Sequence, residues 1–76
     1  MSPAAVLAHY TERAARAWDR QSLASVRYRG MGAAHALHAV GLLTDAEQAE
    51  ALKQLMDACD RRASQLATDD SEGGVQ

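Results

Sequence analysis

Residues 41–48 read Gly41-Leu42-Leu43-Thr44-Asp45-Ala46-Glu47-Gln48. Thr44 followed three residues later by Glu47 is the pattern of a capping box. The threonine hydroxyl accepts from the amide of residue 47, and the glutamate reaches back to the amide of residue 44. Asp45 and Glu47 add negative charge to a first helical turn, which is positive because its amides are unpaired. Gly41, just ahead, suits the left-handed position that closes a helix. The stretch therefore predicts a helix ending near Val40, a tight connection over residues 41–43 and a new helix starting near Asp45. Helices joined this closely lie side by side and antiparallel.

Downstream, Ala49, Leu52, Met56, Cys59, Ala63 and Leu66 alternate spacings of three and four, and Leu55 widens the stripe. That rhythm predicts one amphipathic helix ending near Ala67. Residues 69–76 are acidic, contain two glycines and offer little apolar surface, so they are expected to form a disordered tail behind a helical domain of residues 1–68.

Upstream, Leu23, Val26, Gly30, Ala33, Leu37 and Val40 keep the same rhythm. Gly30 and Gly32 lie inside this alanine-rich helix, where a glycine costs up to ~1 kcal/mol relative to alanine. Small residues four apart, Gly30 with Ala34 and Gly32 with Ala36, let a second helix backbone approach closely. The competing reading is a kink near Tyr28–Gly32; close packing is favoured. Earlier still, Ser2 and Pro3 suit a helix start, and Leu7, Tyr10, Ala14, Ala17 and Trp18 form one face. Trp18 to Leu23 breaks the phase, so a bend or break is expected near residues 19–22, with Ser22 as a new cap. The expected fold is all-α: an antiparallel hairpin of two long helices, or three if that break is complete.

A chain of 76 residues makes one domain. Alanine supplies nearly half of its 47% hydrophobic content and phenylalanine is absent, so the core of one copy is thin. Domains this small rarely gain more than ~3–5 kcal/mol from a single core. One cysteine permits no internal disulfide and no multi-cysteine zinc site. Self-association is the remaining means of support. The bundle is therefore expected to be completed by dimerisation, with Val26, Gly30, Ala33, Ala34, Leu37, Leu52, Met56 and Cys59 as the seam. No apolar run has membrane-spanning length, no secretion signal is visible, and a lone thiol suits a reducing cytoplasm. The excess of arginine over lysine suits a GC-rich bacterial genome, or a phage or plasmid carried in one.

The candidate chemistry is sparse. His35 and His38 are three apart on one helix, a spacing that can present two imidazoles to a metal, but no carboxylate joins them on that face. Cys59 lies on the apolar stripe, flanked by Asp57 and Asp60, which oppose thiolate formation. The acids Glu47, Glu50, Asp57 and Asp60 read as a solvated outer face. The Gly-Met-Gly of residues 30–32 lacks the strand and the lysine of a phosphate loop. No enzymatic activity, cofactor or metal is expected.

The charge distribution says more. The net charge of −2 combines an N-terminal part, residues 1–43, with five arginines against two acids, and a C-terminal part with three bases against eight acids. Arg13, Arg16 and Arg20 share a helix face, and Arg27 and Arg29 flank Tyr28. The two parts either pack together and neutralise one another, or leave an arginine face for an anionic partner. Arginines interleaved with aromatics are a nucleic-acid-binding composition, and helix–glycine–helix over residues 33–52 admits a helix-turn-helix reading. Against both stand a pI of about 5.8 and acids at the start of the second helix. The leading expectation is a small protein that binds another protein, as a regulator, inhibitor or adaptor. The alternative is a transcriptional regulator or nucleic-acid-associated factor using the arginine face.

Overall fold

The connection over residues 40–44 folds as its residues dictate. The Thr44 amide donates to Glu47 Oε1 at 2.9 Å and the Glu47 amide donates to Thr44 Oγ1 at 3.1 Å, closing both halves of the capping box. Ahead of it, Gly41 takes the left-handed conformation, with φ of 81°. Its amide donates to the His38 carbonyl and the Leu42 amide donates to the Leu37 carbonyl. These two bonds form a Schellman ending, which satisfies carbonyls that a helix terminus leaves unpaired.

The computed structural model describes residues 2–75, with side chains described for residues 2–68. It contains three helices, α1 (Pro3–Ala15), α2 (Arg20–Ala39) and α3 (Asp45–Val75), and no strand among the described residues. Helix α3 runs on to Val75, past the end expected near Ala67; the side chains of the expected acidic tail, residues 69–76, lie outside those described. No described helix is long and apolar enough to cross a membrane.

The break between α1 and α2 is complete. It falls at residues 16–19, earlier than the expected 19–22, and the cap of α2 is Asp19, not Ser22. Asp19 Oδ1 accepts from the Ser22 amide at 2.7 Å. A carboxylate is the stronger acceptor in a positive first turn, which leaves Ser22 inside the helix. At the start of α1, Ser2 Oγ accepts from the Ala5 amide and Pro3 occupies the first position, as expected.

All three helix pairs pack against one another. His38 meets Asp45, His35 meets Gln48 and Gly30 meets Leu55, so α2 and α3 run antiparallel. Leu7 faces Ala51 while Ala15 faces Ala58, so α1 runs parallel to α3. The result is an up–down–up bundle measuring 51 × 18 × 15 Å.

The core is built from Ala14, Ala17, Leu23, Val26, Leu55, Ala58, Cys59 and Leu66, with Tyr10 and Met31 packed against it. Leu55, expected to widen the α3 stripe, is buried. Ala58, outside that stripe, is also buried, whereas Ala49 and Ala63 on it are exposed. Because α3 touches two helices, its buried face is wider than a single seam, and Leu55 lies near the middle of that face. Val40 is 70% exposed because it closes α2 at the Schellman turn. Trp18, expected on the apolar face of the first helix, is 79% exposed. It lies beyond the end of α1, in the turn, where the helical spacing that aligned it with Tyr10 and Ala14 no longer applies.

Gly30 and Gly32 separate cleanly. Helix α2 is continuous through both. Gly30 is buried at the meeting of all three helices, and a Cβ there would lie 2.7 Å from Leu55 Cδ2 and 3.2 Å from Tyr10 Cβ. Gly32 has nothing within 4 Å of its Cβ position, and no contact in the structure requires it.

Candidate functional site

The turn at residues 16–19 divides the arginines. Arg13, Arg16 and Arg20 would share a face only if one helix ran through all three, and the break removes that continuity. Arg13 on α1 instead faces Arg29 on α2 across a groove also lined by Tyr10, Gln21, Ser22 and Ser25. At the turn end of the same groove, Arg13 and Arg16 lie beside Trp18, with Val26 at the floor. None of the residues lining this groove is acidic. Arg27 and Arg29, two positions apart, point to different sides of α2. Arg27 joins Arg20 at the α2–α3 groove, beside Cys59 and Asp60. Tyr28 is 83% exposed. The six residues thus fall into a cluster of Arg13, Arg16 and Arg29, a separate pair of Arg20 and Arg27, and an outward Tyr28. Trp18, close to Arg20 in the sequence, instead stands beside Arg13 and Arg16, because it lies in the turn between α1 and α2.

The residues expected at a dimer seam lie between helices of one chain. Val26, Gly30, Ala34 and Cys59 are buried there, and Ala33, Leu37, Leu52 and Met56 are half-buried. Another surface runs between α1 and α3. At one end is a groove of about 370 Å³ with Ala4, Leu7, Ala8, Leu43, Ala46 and Ala51 along it and Glu47 and Glu50 on its rim. Beyond Thr11, which borders both parts, the surface continues past Ala15 and Ala58 to Arg61, Arg62, Gln65 and Glu12.

Several other polar residues serve the fold. His35 Nδ1 is paired with Gln48 Nε2, and His38 Nε2 with Asp45 Oδ1, so both histidines join α2 to the first turn of α3. No group of three potential metal ligands comes together among the described residues. Burial pushes the Cys59 thiol above its ordinary value, Arg27 pulls it down and Asp60 raises it. Asp19 and Glu47 have lowered pKa values, because each carboxylate accepts a backbone amide at a helix start, from Ser22 and from Thr44 respectively. Arg62 Nε donates to the Ala17 carbonyl in the α1–α2 turn.

No protein-family model, curated protein or solved structure matches this chain.

Proposed function

We propose that this chain is a non-enzymatic protein-binding module of the reducing cytoplasm, acting as a self-associated regulator or adaptor, and that it docks an acidic segment of its partner in the α1–α2 groove. The observation that carries this reading is the cluster of Arg13, Arg16 and Arg29 beside the exposed Trp18, in a groove with no acidic lining residue. Guanidinium groups take carboxylates in a planar, two-pronged geometry. Tryptophan and arginine are the side chains that most often anchor protein interfaces, because each combines large apolar area with directed polar contacts. Self-association is supported by the thin core, in which no large side chain among the described residues is fully buried.

Trp18 is the only tryptophan, so its fluorescence reports on this groove alone. Titration with a peptide of alternating glutamate and leucine is expected to shift the emission to the blue and saturate. Arg13→Gln with Arg16→Gln should weaken that binding at least ten-fold and leave the melt unchanged. No spectral change up to millimolar peptide would overturn the reading. The same cluster suits stacked, phosphate-bearing strands. A single-stranded oligonucleotide that binds more tightly than the peptide, with a steep loss in salt, would select the nucleic-acid alternative.

A further inference from the structure

The α1–α3 surface changes sign along its length. On α3, Glu47 and Glu50 mark one end and Arg61 and Arg62 the other, where Glu12 of α1 also stands. Ala51, Gln54 and Ala58 lie between them on the same face of the helix, since steps of three and four residues return to one side. The floor is small and apolar, with Ala4, Ala8 and Leu7 contributed by α1. Such a floor lets another helix approach closely, and its two charged ends make it directional.

We propose that this surface pairs with the same surface of a second copy, about a two-fold axis lying in the interface and crossing the helices near Gln54–Leu55. That operation sets α3 antiparallel to the partner copy's α3. It brings Glu50 level with the second copy's Arg61 and Glu47 level with its Arg62. Both pairs are satisfied at one register, because each is centred within about a residue of position 55. Each contact also occurs twice, as an isologous interface requires. A parallel pairing would instead set Glu50 beside Glu50 and Arg61 beside Arg61. The charge order therefore selects the antiparallel arrangement, and the α1–α2 arginine groove stays uncovered on both copies. This inference rests on the reading of the chain as self-associating and adds where and how it does so.

Glu50 and Arg61 are the pair to test. Glu47 caps α3 and Arg62 holds the Ala17 carbonyl, so changing either disturbs the fold. Glu50 and Arg61 are exposed, and their hydrogen bonds stay within α3, to Gln54 and to the Asp57 carbonyl. Sedimentation equilibrium of the full chain is expected to show a dimer. Exposed pairs are individually weak, but each reversal acts twice, so E50R and R61E alone should each raise the dimer dissociation constant about ten-fold, and the double variant E50R/R61E should restore it. In addition, Gln54→Cys, close to the axis, should form a disulfide-linked dimer under mild oxidation while the buried Cys59 does not react. A monomer at millimolar concentration would overturn both self-association and this interface. A dimer that is indifferent to the charge reversals, or not rescued by the double variant, would overturn this interface alone.

Discussion

Gly30 of α2 and Leu55 of α3 occupy one space: a Cβ on residue 30 would lie 2.7 Å from one Leu55 methyl and 3.3 Å from the other. Leu55 is 3% exposed, so turning its side chain meets other core atoms, and Tyr10 Cβ at 3.2 Å bars the opposite side. Overpacking of this kind costs ~1–3 kcal/mol, more than the ~1 kcal/mol of helix propensity that alanine returns. Gly30→Ala should therefore lower the melting temperature. Gly32→Ala, with open space around it, should raise it, because only the propensity gain remains. Thermal melts of the two variants side by side check the contrast, and melts that move in the same direction would contradict it.

Arg61 and Arg62 are neighbours with different duties. Arg62 reaches across to the Ala17 carbonyl and fixes the α1–α2 turn against α3, while Arg61 bonds only its own helix. A hydrogen bond from a charged donor contributes ~1.5–3 kcal/mol. At concentrations low enough to keep the chain monomeric, Arg62→Gln should accordingly destabilise it by ~1–2 kcal/mol, with Arg61→Gln within ~0.5 kcal/mol of the parent. Urea unfolding, followed by the circular dichroism of the helices, measures both.

The lowered carboxyls of Asp19 and Glu47 each contribute to the acid response. A group whose folded pKa lies below its unfolded value contributes stability that is complete above the unfolded value and is lost as pH falls through the folded one. The contribution of these two caps should thus be complete above about pH 5 and be lost below it. Asparagine caps a helix about as well as aspartate without titrating. Asp19→Asn should therefore change little at pH 7 and flatten part of the acid limb. Melts from pH 2 to 7 read this directly.

Leu66 is the last buried residue among those whose side chains are described. A chain ending at Thr68 should then melt within a few degrees of the full length. A drop of many degrees on deleting residues 69–76 would show that they contribute to the bundle.

The features that local chemistry controls were legible in the sequence. The capping box of Thr44 and Glu47, the left-handed Gly41 and the Ser2–Pro3 start each depend on residues a few positions apart, and each is present. The helix break was visible as a loss of phase, but its position was misjudged, because Asp19 and Ser22 both make acceptable caps and the stronger acceptor, the Asp19 carboxylate, takes the position. Gly30 was legible as a close approach, whereas its partners Tyr10 and Leu55 are separated from it by 20 and 25 residues and belong to the tertiary fold. The arginine cluster was obscured for the same reason: Arg29 joins Arg13 across two helices, and no periodicity within one helix pairs them.

Helix α1 contributes a single buried residue, Ala14, and yet forms one wall of both the arginine groove and the α1–α3 surface. An element held by so little buried area is the first to detach in local opening, and its detachment dismantles both surfaces at once. Anything that occupies one of them holds α1 in place and so prepares the other, a positive linkage that needs no change of shape. Its magnitude must be equal in both directions. Amide exchange over residues 3–15 should slow when either surface is filled, and an acidic peptide should bind more tightly as the protein concentration rises.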